Sequence, residues 1–154
     1  MTTAQKILQI HQLDTKLAAL NSIQKVSLPP TGWIKAIRMA LGMSLLQLGN
    51  KLGITKQSAM NMELREAEGA ITLHALREAA QALDMELVYG FVPKDGSLNA
   101  LVERKAKALA TQVVMRTSNT MKLEDQENSQ ERIRDAINER TIAIKNELPK
   151  TLWD

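Results

Sequence analysis

The chain has no cysteine, and that absence removes disulfides, thiolate metal sites and cysteine nucleophiles together. Only His11 and His74 remain as imidazoles, which argues against zinc chemistry. Aromatic residues are scarce at 3% (Trp33, Tyr89, Phe91, Trp153), against eight methionines. That profile fits helices packed through Leu, Ile, Ala and Met and argues against a β-sandwich. No apolar run approaches the roughly 20 residues of a membrane span. Met1–Gln12 also lacks the order of charged, apolar and cleavage regions of a signal peptide. The expectation is a soluble, cytoplasmic protein with no cofactor.

Charge of one sign is also in short supply, the net being only +3, but its distribution is uneven. Residues 1–52 carry six Lys/Arg against one Asp, residues 53–96 four against seven acids, and residues 97–154 ten against nine. The basic excess on the first third points toward a polyanionic partner. With 44% hydrophobic and 24% charged residues in 154, the chain can bury a core and fits one ordinary domain or a small domain with helical extensions.

In the leading segment Ile10, Leu13, Leu17 and Leu20 recur at helical spacing, which predicts a helix over 4–22. Leu28-Pro29-Pro30 stops it, and domain boundaries are expected at 1–28, 29–84 and 85–154. From Thr31, a possible N-cap, Trp33, Ile34, Ile37 and Leu41 share one side of a helix ending at Gly42. Ser44 opens a short helix with Leu45, Leu48 and Leu52, closed by Gly53. Thr55 opens another that runs through Ala59 and Met62 toward Arg65, and a fourth spans Thr72–Leu83 with Leu73, Leu76, Ala80 and Leu83 as its apolar positions. The acids Glu63, Glu66 and Glu68 read as a solvated loop.

Met85–Val92 changes rhythm: Met85, Leu87, Tyr89 and Phe91 alternate with their neighbours and Pro93 follows, the pattern of a strand. A lone strand needs a partner, so Leu87, Tyr89 and Phe91 are expected to pair with a second copy of the chain across a two-fold axis. Val102, Ala106, Leu109 and Val113 predict a helix over 97–116, and Ile133, Ile137, Ile144 and Leu148 another over 125–147, joined by 117–124. The expected class is therefore mainly all-α, with one short strand.

Chemistry concentrates between Ser44 and Glu63, which has the physics of a helix-turn-helix. Gly53 supplies a positive-φ residue for a sharp turn, Ile54 plugs the corner, and Thr55 caps the second helix. Gly49 inside a helix calls for close approach of the two helices. Lys56, Gln57, Ser58 and Asn61 then lie on the exposed N-terminal half of the second helix. Gln and Asn can bond bidentately to adenine, Lys can donate to guanine or phosphate, and Ser to either. The helix N-terminus adds positive dipole. Lys35, Arg38, Lys51, Thr55 and Arg65 are the candidates for phosphate contacts.

These residues resemble a known family. Ile37-Arg38, Leu41-Gly42-Met43-Ser44, Gln47-Leu48, Lys51-Leu52-Gly53-Ile54-Thr55, Gln57-Ser58 and Glu63, followed by Leu73, Leu76, Ala79-Ala80 and Ala82-Leu83, are similar to the helix-turn-helix domain of the phage-repressor (Xre) type over residues 31–83. The resemblance implies a lambda-repressor-like fold that reads DNA with the second helix, through Thr55, Lys56, Gln57 and Asn61. The chain departs from the family at Leu45, where many members carry a phosphate-binding Gln, at Gly49 in place of Ala, and in a longer loop from Glu63 to Leu73.

The whole layout resembles a narrower group, the mobile mystery protein A family, through the Leu-rich leading helix, Pro29-Pro30-Thr31-Gly32-Trp33-Ile34, Ile71-Thr72-Leu73, Leu87-Val88-Tyr89, Val92-Pro93 and Met121–Gln126. That resemblance implies a regulator, or antitoxin-like partner, of a Fic-domain protein encoded nearby. Thr120–Asp125 matches the inhibitory motif of Fic regulators except at its last position.

The leading expectation is a dimeric DNA-binding regulator, a repressor reading a palindromic operator in double-stranded DNA. The alternative is an antitoxin-like module that engages a Fic-domain partner directly through residues 97–147. His74 beside Leu73 reads as a surface or packing residue, and Arg132, Arg134 and Arg140 among acids read as a mixed helix surface. With no nucleophile and base together and no phosphate loop, an enzyme is the weakest reading.

Overall fold

A computed structural model describes residues 1–121 and 129–154. The chain is all-α. Its helices are α1 (Thr3–Ala18), α2 (Trp33–Ala40), α3 (Leu45–Leu52), α4 (Lys56–Glu68), α5 (Leu73–Ala82), α6 (Leu98–Met121) and α7 (Ser129–Glu147). Short 3-10 turns lie at Ile23–Lys25 and Lys150–Trp153. The chain divides into two compact units, Lys25–Tyr89 and a second made of Met1–Gln24 with Gly90–Asp154.

In the Lys25–Tyr89 unit the helix starts are written locally. Ser44 and Gln47 form a reciprocal capping box, the Ser44 Oγ accepting from Gln47 N (3.1 Å) while Gln47 Oε1 accepts from Ser44 N (2.8 Å). Thr55 and Thr72 cap α4 and α5 through the hydroxyl alone, accepting from Ser58 N (3.0 Å) and Ala75 N (3.1 Å). Leu48, fully buried, joins Ile34, Ala59, Met62, Ala79 and Leu83 in a core that gathers α2 through α5. Burying a side chain such as Leu48 contributes about 1.5–3 kcal/mol.

Three features of this unit differ from expectation. Thr31 does not cap α2. Gly32 takes the cap position at φ 85° without a side-chain bond, and Glu66 of α4 closes the helix end instead. On α2 the inward stripe is Ile34, Ile37 and Arg38, while Trp33 and Leu41 face solvent. Finally, α4 does not stop near Arg65 in a solvated loop. It continues to Glu68, because Glu63 and Glu66 extend the inward stripe begun by Ala59 and Met62. On α5, Ala79 and Leu83 are buried and Leu73 is exposed.

The other unit is built on α6 against α7. Val102, Ala106 and Ala110 recur every fourth residue on α6, and the two alanines are fully buried, letting the helices approach closely. Ile144, Leu148 and Leu152 complete this core. The helix α1 packs on it through the half-buried Ile10, while Leu13 of the expected stripe is exposed. Asp14 ties α1 to the start of α6, its carboxylate accepting from the backbone N–H of Leu98 (2.6 Å) and Asn99 (3.1 Å). Ser97 supplies the local cap. The joint expected at 117–124 is helical as far as Met121, and residues 122–128, including the expected start of the last helix at 125, lie outside the described residues.

Met85–Val92, expected as a strand, forms no helix and no ladder among the described residues. Among the described residues no helix is long and apolar enough to cross a membrane.

Candidate nucleic-acid interface

The α3–α4 pair is held by a three-residue connection, Gly53-Ile54-Thr55. Gly53 sits at φ 68°, a left-handed conformation that favours glycine. Its neighbour Ile54 tucks into the core edge and donates its N–H to Gly49 O at 2.9 Å. Gly49 is buried because this connection passes against it: a Cβ there would lie 2.8 Å from Ile54 O and 3.2 Å from Thr55 O. The close approach at Gly49 is therefore not of helix to helix, as expected, but of the backbone that connects them.

Thr55 fixes the first turn of α4. Its hydroxyl oxygen accepts from Ser58 N at 3.0 Å and its proton goes to Ser58 Oγ at 2.9 Å. Lys56, Gln57, Ser58 and Asn61 are all exposed, on the side away from Ala59 and Met62. Gln57 Nε2 donates to Asn61 Oδ1 at 3.4 Å, so these amides are neighbours across one helical turn. The four residues expected to touch bases thus come together on one face. Of the expected phosphate contacts, Lys51 is exposed in the last turn of α3, Thr55 is exposed but its hydroxyl is engaged, Arg65 is exposed, and Lys35 is partly buried on α2.

Arg38 is the exception and corrects the expectation. It is 8% exposed and each of its three guanidinium nitrogens is engaged: Nε donates to Glu63 Oε2 (2.7 Å), Nη2 to Glu63 Oε1 (3.1 Å) and Nη1 to Met43 O (2.9 Å). The hydrogen bond to Glu63 holds the guanidinium above its ordinary pKa, against the opposing effect of burial. This cation is an internal strut. It is not a surface ligand for phosphate.

Glu63 and Glu66 are the site residues that the pattern concealed. Glu63 is 4% exposed, and one turn later Glu66 accepts from Trp33 N (3.0 Å) and Ile34 N (2.8 Å). Two carboxylates on the inner face of α4 therefore lock it to α2, one through a guanidinium and one through a helix end. Their spacing from Ala59 and Met62 was the available signal. Sequence reasoning also passed over Met60 and Leu64, both exposed on the outer face beside Gln57 and Asn61.

Elsewhere, Leu87 is half-buried, and Tyr89 is exposed with Arg77 stacked 5.6 Å from its ring centroid. Phe91 is 84% exposed. His74 is exposed and lies 3.2 Å from Glu78 on the same helix, and His11 is exposed on α1. Of the Fic-regulator-like stretch Thr120–Asp125, residues 122–125 lie outside the described residues. Set against protein-family models, curated proteins and solved structures, the chain matches none.

Proposed function

We propose that residues 31–83 are a helix-turn-helix domain of the phage-repressor type, and that the protein binds operator DNA as a dimer, each copy inserting α4 into a major groove. The observation that carries this reading is the face of α4 formed by Lys56, Gln57, Ser58 and Asn61. Four polar residues suited to base edges stand exposed at the N-terminal end of a helix whose start is locked by Thr55 and whose inner face is locked by Glu63 and Glu66. Lys51, Lys35 and Arg65 supply phosphate contacts, with Arg38 withdrawn from that role.

The second copy is supported by Met85, Val88, Tyr89 and Phe91, apolar or aromatic side chains left exposed on a segment with no ladder partner among the described residues of its own chain. Two-fold pairing places the reading helices on half-sites about 34 Å apart, or a multiple of that. The regulated gene, on the resemblance described above, is a neighbouring one for a Fic-domain protein.

Gel shifts with Gln57→Ala test the reading. Specific affinity falls by roughly 1–3 kcal/mol while binding to scrambled DNA is unchanged. Equal loss on both sequences overturns the assignment.

A further inference from the structure

On the outer face of α4, two rows run side by side. Gln57 and Asn61 make a polar row, and Met60 and Leu64 make an apolar one, at 37% and 53% exposure. Each row repeats at four residues, so the two run parallel to each other, slightly inclined to the helix axis. Met60 has no core duty: the inward positions are taken by Ala59, Met62, Glu63 and Glu66, and 3.6 residues per turn leaves Met60 on the flank, next to Gln57 and Asn61. An apolar side chain thus stands directly beside a polar, hydrogen-bonding row.

We infer that Met60 reads the C5-methyl group of a thymine in the operator, so that the half-site carries an A·T pair beneath the first turns of α4. The inference rests on the major-groove reading proposed above. Thymine is the only base that shows an apolar group in the major groove, and a flexible thioether adapts to it without demanding one rotamer. The neighbouring amides fit the other half of the same pair. Gln57 Nε2 donates to Asn61 Oδ1, which leaves Gln57 Oε1 as an acceptor and Asn61 Nδ2 as a donor for a further partner. Adenine presents the complement, an N6 donor and an N7 acceptor. One A·T pair therefore meets both rows, amides on the purine and Met60 on the methyl of its partner.

The test uses the full chain and a randomised duplex library. Once a half-site is enriched, each of its thymines is replaced singly by deoxyuridine, which removes only the methyl, and affinity is measured by fluorescence anisotropy. At one position per half-site, wild-type binding weakens about fourfold, the value expected for one buried methyl at ~0.8 kcal/mol. Met60→Ala binds the thymine and deoxyuridine sites alike, and Met60→Leu keeps part of the discrimination. Indifference of the wild type to every deoxyuridine overturns the inference with no variant needed, as does an undiminished penalty in Met60→Ala. Failure of the library to yield any preferred sequence rejects the helix-turn-helix reading itself, and Met60 with it. An enriched site without methyl dependence rejects Met60 alone.

Discussion

Arg38 and Glu63 stand 25 residues apart and meet at 2.7 Å in the interior of the Lys25–Tyr89 unit. Neither side chain is tolerable there alone, since an unpaired buried charge keeps its full desolvation cost. Glu63→Ala is therefore expected to lower stability by about 3–5 kcal/mol in urea unfolding, far more than an exposed carboxylate would. Glu68→Ala, on the exposed last turn of the same helix, should stay within about 0.5 kcal/mol and serves as the comparison. The pair also shows where reading by residue type reaches its limit. Arg38 sits in the basic first third and looks like any other phosphate ligand, because nothing within a turn or two of it announces a partner. Gln57 and Asn61 were legible for the opposite reason: their place on α4 follows from a local cap and a helical period.

At the scale of elements, the helix starts at Ser44, Thr55 and Thr72 were legible, since a capping residue and the N–H it accepts from are only three residues apart. The start of α2 was not, because its cap comes from Glu66 on another helix. Gly32 permits that arrangement twice over, by adopting φ 85° and by having no Cβ where one would fall 2.7 Å from Glu66 Oε1. Gly32→Ala should then cost roughly 1–3 kcal/mol, combining left-handed strain with the displaced carboxylate, and a thermal melt reads it directly. Glu66→Ala should remove most of the cap and reduce the additional loss caused by Gly32→Ala, a non-additivity that a double-mutant cycle measures. The length of α4 was hidden by the same chemistry, since a helix that turns carboxylates inward does not show an apolar stripe.

At the scale of the molecule, the dimer proposed from Met85–Phe91 has a simple reading in sedimentation velocity: a two-fold species at micromolar concentration for the wild type, and a monomer for Phe91→Arg with unaltered helical circular dichroism. A monomeric wild type overturns strand pairing. The all-α class was legible from composition and period, whereas the association of α1 with α6 and α7 was not, because a stripe such as Ile10, Leu17 and Leu20 says that a helix needs a neighbour without saying which. That association has a consequence for how the chain is made. The Lys25–Tyr89 unit is contiguous, but α1 is made well before its neighbour α7, which is completed only at Glu147. At about 5–20 residues per second, α1 waits several seconds or more for the helices it packs on. In that interval its half-apolar face is open to chaperones and to other nascent chains, so the unit that contains α1 becomes native only after the contiguous Lys25–Tyr89 unit has been made in full.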